Sequence, residues 1–367
     1  MIEKELQDGM YHERSRLTWA DFRERYELEV LSGQRKKTGE NLAATFKAIE
    51  EHINPANVEA IGPQQISQFA AKLRKMGRAE PTIKRHLTCV RTLLNWAKRQ
   101  RIIRQVPTID MPKKGDSTRK TMRGRPISGE EYERIIEKVP VGLAVKNFDK
   151  TLTAGKRLRI ENMPTDTVES WRHLLHGLWL SGLRLGEALN LSWDDDRLIM
   201  VDFSARRPMF LIRADGQKNG NDEILPMAPE FAEFLLTTPE EKRTGFVFAP
   251  HSVNYIGRRL SLDRVTRVLS RFSRAAGVKV DDTGGKVKYA SAHDLRRSFG
   301  ERWAARVMPH ILQQLMRHAS ITTTMEFYVG RNAETTVDAL WDAVANTSAN
   351  TSVGTPIEPR QEKPQTL

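Results

Sequence analysis

Apolar residues recur at helical spacing through the first hundred positions, in runs that Gly and Pro keep short, and the period changes towards two only after Asp196. A chain written this way must assemble helical layers first and has room for only a small sheet. Thr18 to Val30 opens with Thr18-x-x-Asp21, close to a capping box, and sets Trp19, Phe22, Tyr26 and Val30 near helical spacing. Gly39 to Ile53 repeats the pattern with Leu42, Phe46, Ile49 and Ile53. Pro63 starts a third helix, carrying Ile66, Phe69, Ala70 and Leu73, which ends at Gly77. Pro81 starts a fourth, with Ile83, Leu87, Val90, Leu93, Leu94 and Ala97. Four short helices separated by Gly and Pro are the pattern of a compact bundle.

Residues 112–126, PKKGDSTRKTMRGRP, have no apolar period and read as an interdomain linker, either a plain tether or a basic strap along a polyanion. Ser128-x-x-Glu131 is a capping box ahead of the periodic EYERIIEKV. Residues 141–167 are irregular and basic and receive no role. A helix is expected over about 168–181, with Trp171, Leu174, Leu175 and Leu178 on one face. LIMVDF, MFLIRA and EILPM read as three short strands, and the turn-rich DGQKNGND joins the last two. From about 259 to 345 the chain reads as helical again. The tail from Asn346 has the composition of a disordered segment. The expected fold is mainly α with a small antiparallel β-sheet (α+β). Its parts are a helical domain over 1–112, a basic linker over 113–127, a second domain over 128–345 and the tail over 346–367.

Charge narrows the partner. Lys plus Arg is 59 against 46 Asp plus Glu, but the excess is local. Residues 65–126 hold 17 basic and 3 acidic side chains, whereas 1–64 hold 9 and 12 and 127–367 hold 33 and 31. A field this concentrated points to a polyanion, nucleic acid before an anionic membrane surface, against the alternative of a solvated basic face. Lys72, Arg74, Lys75, Arg78, Lys84, Arg85, Arg91, Lys98 and Arg99, on the third and fourth helices, are the candidate DNA contacts. No apolar run approaches the ~18 residues of a membrane span. The charged N-terminus has no apolar signal core, so a cytoplasmic protein is expected, nucleoid-associated if prokaryotic. Cys89 is the only cysteine, which excludes an intramolecular disulfide and a cysteine zinc cluster.

Four pieces of the second half carry chemistry. SGLRLGEALNLSW places Arg184 at a helix start after a Gly. Lys218 lies in the turn-rich loop. HDLRRSF sets His293 and Arg296 three apart on one helix face, and LMRHASITTTMEFY puts His318 ten residues before Tyr328. Singly, each has an ordinary structural reading: a surface arginine, a solvated lysine, a capping histidine, a half-buried tyrosine. Together they resemble the tyrosine recombinase, or phage integrase, family. The family's Gly-Leu-Arg-x-x-Glu box matches Gly182, Leu183, Arg184 and Glu187. Its hairpin lysine matches Lys218, followed by Ile224-Leu225-Pro226, and its His-x-Leu-Arg box matches His293, Leu295 and Arg296. Its last box matches His318, Thr323, Thr324 and Tyr328, with order and spacing kept over about 150 residues. One departure stands out. Where the family usually has Leu-Gly-His, this chain has Met316-Arg317-His318.

The resemblance implies a helical core-binding domain followed by a catalytic domain, and site-specific breakage and rejoining of duplex DNA through a 3′-phosphotyrosine. Tyr328 would be the nucleophile, and a phenol of pKa ~10 needs help in losing its proton. Arg184 and Arg296 would clamp the phosphate, for which planar, permanently charged guanidinium groups are suited. Lys218 would be the general acid for the leaving 5′-oxygen, His293 the base or proton shuttle, and His318 a phosphate hydrogen-bond donor. No metal and no cofactor is implied, and the retained phosphoester makes ATP unnecessary. The expected partners are duplex recombination sites, further copies of the chain in a tetramer on paired sites, and an accessory directionality factor. Residues 333–345 carry Val337, Leu340, Trp341 and Val344 as an apolar stripe, for docking on a neighbouring subunit or on its own domain. A type IB topoisomerase-like relaxation enzyme and a non-catalytic DNA-binding relative are the alternatives.

Overall fold

Thr18 starts the first helix as the sequence suggests. Its hydroxyl accepts from the Asp21 amide at 3.2 Å, and α1 runs Trp19–Tyr26 before widening into a π-turn over Glu27–Leu31. In the computed structural model the described residues are 17–33, 36–112, 124–144, 163–212, 222–252, 258–282, 285, 287–327 and 341. Chain contacts divide into two units, Met1–Lys120 and Thr121–Leu367.

The first unit is the helical bundle. After α1 come α2 (Lys36–His52), α3 (Pro63–Lys75) and α4 (Glu80–Arg99), with prolines in the first turns of α3 and α4, where a missing N–H costs nothing. The apolar stripes meet in one core of Trp19, Phe22, Tyr26, Phe46, Phe69 and Trp96 with their aliphatic neighbours. Tyr26 meets Trp96 edge-on, with centroids 5.0 Å apart, and Phe46 at 5.9 Å. His86 is buried on the same face, its Nδ1 3.0 Å from the Thr45 hydroxyl, and burial holds it below the usual histidine pKa. The opposite face of α3 and α4 is exposed and basic. Eight of the nine candidate DNA contacts lie on it and the ninth, Arg78, is exposed in the turn between the two helices, so the amphipathic split read from the sequence is present. Arg74 is paired with Glu80 at 2.6 Å and Lys72 donates to the His52 carbonyl at 2.6 Å; breaking either contact frees a cation.

The described part of the second unit begins at Gly124. Of the residues assigned to the linker, 124–127 are part of this unit. Ile127 is buried and its amide donates to Ser298 Oγ at 2.8 Å, while Arg125 bridges to Glu131 at 2.5 Å. Ser128 caps α5 (Gly129–Glu137) in a full capping box with Glu131. The α6 helix (Val139–Ala144) follows, and α7 (Thr165–Ser181) begins three residues before the expected 168. Residues 141–144 are therefore helical, not irregular; 145–162 lie outside the described residues. Trp171 of α7 is the hub of the core, edge-on to Phe272 at 5.4 Å and donating through Nε1 to the His251 carbonyl at 2.9 Å.

Next come α8 (Leu185–Ala188) and a four-stranded sheet in chain order: β1 (Leu191–Ser192), β2 (Ile199–Asp202), β3 (Met209–Ile212) and β4 (Glu223–Pro226). The three strands read from the sequence are antiparallel, with Val201 opposite Phe210 and Phe210 opposite Leu225. The short β1 adds a parallel pair, Leu191 opposite Ile199. The α9 helix (Pro229–Leu236) packs on α7, with Phe231 5.9 Å from Phe210 of the sheet, and α10 (Leu262–Ala275) packs on α6 and α5.

The expected continuous helical stretch from 259 to 345 is corrected. After α10 a hairpin intervenes, β5 (Lys279–Asp281) with β6 (Lys288–Tyr289), and α11 (Ala292–Ala304), α12 (Pro309–Met316) and α13 (Ile321–Met325) follow. Val278 and Val280 are buried, which anchors this hairpin to the core. No described helix is long and apolar enough to cross a membrane. The tail and the segment 333–345, except Trp341, lie outside the described residues.

Candidate active site

Gly182 sets the first corner of the site. It ends α7 in the left-handed region, φ +63°, and a Cβ there would come within 2.3 Å of the Phe299 ring. The turn aims the next residues across the end of α11. Leu183 is buried, and Arg184 becomes the N-cap of α8. Replacing Gly182 with alanine adds left-handed strain and overpacks Phe299. The first costs ~1–2 kcal/mol and the second ~1–3 kcal/mol, so Gly182→Ala should destabilise the second unit by about 2–5 kcal/mol. A thermal or urea unfolding curve within about 1 kcal/mol of wild type would contradict this.

Arg184 is half exposed. Its guanidinium pairs with Glu187 Oε1 at 2.9 Å and its backbone N–H donates to Glu187 Oε2 at 2.9 Å. Glu187 is largely shielded. Burial alone would raise its pKa, but Arg317, the Arg184 amide and the Arg184 side chain outweigh that and hold it low.

The second corner is the start of α11. Ser291 and Asp294 cap it reciprocally: Asp294 Oδ2 accepts from the Ser291 amide at 3.0 Å and from its hydroxyl at 2.6 Å. Asp294 is fully buried and also takes Arg297 at 2.6 Å and Lys288 at 3.4 Å. This carboxylate orients the turn that carries His293 and Arg296. Its signal in the sequence is the Ser291-x-x-Asp294 spacing, a capping pattern that the catalytic boxes overshadow.

Arg296 and His293 lie on one helix but in different surroundings. Arg296 is 3% exposed, and its two terminal nitrogens donate to the carbonyls of Gly182 and Met316. Desolvation, with Arg184 next, pushes its pKa down to about 10, so it stays charged at neutral pH. His293 is exposed. Partial desolvation, then Arg297, Arg296 and Lys288, holds it below the usual histidine value against the pull of Asp294.

The third corner is the end of α12. Gly300 of α11 lets this corner close: a Cβ there would lie 2.6 Å from Phe327 and 2.7 Å from Met316 Sδ. Arg317 terminates α12 in the left-handed region, φ +51°. His318 follows, its Nδ1 3.0 Å from the hydroxyl of Thr324, which is fully buried in α13. Its ring lies parallel to Phe327 with centroids 5.9 Å apart. Desolvation, then Arg296, Arg184 and His293, pushes the His318 pKa down to about 4, so it is neutral at pH 7.

Arg184, Arg296, His293 and His318 therefore gather where the ends of α7, α11 and α12 meet, held by Arg296. Lys218 and Tyr328 lie outside the described residues. The chain reaches the first between the paired ends Ile212 and Glu223, and the second directly after Phe327. Glu187 and Thr324, read from the sequence only as box matches, Arg317, read there as an extra charge near the site, and Asp294, not singled out there, join the site. Among the described residues no group of three or more His, Cys, Asp or Glu side chains is placed to hold a metal ion.

Residues 158–335 match the phage integrase family, and residues 24–101 match the phage integrase N-terminal SAM-like domain. Tyrosine recombinase XerD of Oceanobacillus iheyensis is 23% identical over 298 residues, covering 78% of this chain and 84% of that protein. XerC of Thermodesulfovibrio yellowstonii is 21% identical over 310 residues, covering 81% and 88%. The fold is shared with the Tn1549 transposon integrase solved with transposon right-end DNA (TM-score 0.57, 17% identity, 88% of this chain and 98% of that one). It is shared equally with a lambda integrase tetramer on a Holliday junction (TM-score 0.58, 19% identity, 89% and 83%). The chain belongs to the tyrosine recombinase, or phage integrase, family, enzymes that break and rejoin DNA without metal or ATP. It is a site-specific recombinase of that class, and nothing in these comparisons favours the topoisomerase alternative.

Proposed function

We propose that Arg184 and Arg296 receive one phosphate of duplex DNA between the ends of α7, α11 and α12, and that Tyr328 attacks it. The observation that carries this reading is Arg296 itself. By donating to the Gly182 and Met316 carbonyls it draws the Gly-Leu-Arg box and the His318 box to one point. Two cations there can stabilise charge that grows on the non-bridging oxygens in the transition state.

The tautomer of His318 follows from its partner. If the Thr324 hydroxyl donates to Nδ1, the proton of the neutral ring sits on Nε2, free to donate to the phosphate. His293, exposed and held below the usual histidine pKa, is available as the base or shuttle for the phenol proton. Lys218 protonates the leaving 5′-oxygen. The product is a 3′-phosphotyrosine, which another strand's 5′-hydroxyl reseals.

The same reading takes the exposed basic face of α3 and α4 as the main phosphate contact, duplex recombination sites as the substrate, and a tetramer on two paired sites as the working assembly. It places the protein on chromosomal DNA in the cytoplasm, with an accessory directionality factor as a further partner. Covalent protein–DNA ends recovered from the native cells should fall at a few discrete sites. Ends scattered without sequence preference would contradict site specificity.

Salt dependence tests the basic face. Each neutralised phosphate contributes about −0.9 to the slope of log affinity against log salt. A chain beginning at Gly124 keeps Arg125 and Ile127 in their places but loses most of the 17 basic side chains of residues 65–126. It should bind more weakly, with a slope shallower by several units. An unchanged slope would place the phosphate contacts elsewhere.

A further inference from the structure

Arg317 occupies a backbone position that costs a non-glycine residue free energy, roughly 1 kcal/mol in the left-handed region. The family pattern usually has glycine there. The side chain that incurs this cost is turned into the site and is only 17% exposed. Its Nη1 is buried without a hydrogen bond and lies 3.5 Å from Glu187 Oε1. That oxygen already accepts from Arg184 at 2.9 Å. Glu187 thus stands between two guanidinium groups, one bonded to it and one just beyond bonding distance.

We propose that Arg317 is a positioning residue that takes over Glu187 when Arg184 turns to the scissile phosphate. The inference rests on Arg184 being a phosphate ligand. Leaving Glu187 would otherwise strand a shielded carboxylate without its side-chain counter-ion, and that penalty would add to the barrier of every cleavage event. Arg317 removes it by closing a gap of about 0.6–0.8 Å, from 3.5 Å to an ordinary charge-assisted hydrogen bond. Glu187 keeps its bond to the Arg184 amide throughout, so the start of α8 stays anchored while the Arg184 side chain is released. Among the described residues the groups facing Glu187 are Arg184, Arg296 and Arg317, all cationic, so none of these competes as an acid for the released arginine.

The test compares single-turnover cleavage with DNA affinity in the full chain. Arg317→Met keeps the size and the strained backbone but removes the charge. It should slow cleavage about tenfold, the worth of one charge-assisted hydrogen bond, with Kd for the DNA site within about twofold. Arg317→Lys should recover most of the rate. Arg317→Gly relieves the strain, should melt no lower than wild type, and should cleave as slowly as Arg317→Met. In a Glu187→Gln background, where no carboxylate is left to neutralise, Arg317→Met should cost no further rate. Wild-type cleavage by Arg317→Met, failure of lysine to rescue, an equal loss in Kd, or a full tenfold loss in the Glu187→Gln background would each overturn the proposal. Normal cleavage by Arg184→Ala would instead overturn the phosphate-clamp reading on which it rests.

Discussion

Arg184→Ala should lower the cleavage rate by about 10²–10³ and leave DNA affinity within a few-fold of wild type. A donor aimed at developing charge in a shielded site is worth about that factor. Affinity, in contrast, is spread over many phosphates, and the exposed cations of α3 and α4 remain in place. The substitution is also structurally mild. The Arg184 side chain is half exposed; the shielded Glu187 that it leaves keeps its bond to the Arg184 amide and has Arg317 3.5 Å away, and the long 3.5 Å contact to the Arg317 carbonyl is weak. Arg296→Ala should lose at least as much rate, but with a cost to folding that Arg184→Ala lacks. It removes the donor to two buried carbonyls, and each left unsatisfied costs ~1–3 kcal/mol, offset in part by the loss of a desolvated charge. Cleavage and gel-shift measurements below the melting transition of both variants separate the two effects. Equal losses in rate and affinity for Arg184→Ala would mean that the residue serves binding, not the transition state.

The buried arginine also marks how far the sequence could be read. The bundle helices were legible because each apolar stripe is long and bounded by Gly or Pro. The α3 helix starts at Pro63, and Ile66, Phe69, Ala70 and Leu73 are all buried. Ser128-x-x-Glu131 was legible because a capping box is local chemistry. The β5–β6 hairpin was not: Val278 and Val280 make a single step of alternation, too short a run for a period to be read against the helices on either side. The β1 strand has two residues and is defined by long-range pairing, with β2 and, at Ser192, with Phe246. The α6 helix has only six residues, too few for a period.

The catalytic boxes were legible as residue types in order, but their environments were not. The burial of Arg296 depends on carbonyls 114 and 20 residues away, and no local pattern encodes that. Asp294 was missed, and Arg317 stood out as a departure from the family pattern while its environment stayed hidden. By sequence, Asp294 is an ordinary helix-start acid; only the folded chain closes Arg297 and Lys288 on it. Arg317 has the sequence character of a surface charge, and its left-handed backbone is what turns it towards Glu187.

The central claim is that Tyr328 is the nucleophile of a site whose phosphate cradle is Arg184 and Arg296. Phe327, parallel to His318, brings the described chain to that cradle one residue before Tyr328, and cations there would favour a phenolate formed beside them. The phenol's ordinary pKa of ~10 means that its proton must leave as the bond to phosphorus forms, so the reaction stops when the hydroxyl is absent. The direct measurement is trapping on a nicked suicide substrate, from which the 5′-hydroxyl strand diffuses away and cannot reseal. The protein should become covalently joined to a DNA 3′ end, and peptide mapping should place the adduct on Tyr328. Tyr328→Phe should bind the same DNA and form no adduct. An adduct mapped to another residue, or trapping by Tyr328→Phe at the wild-type level, would contradict the account.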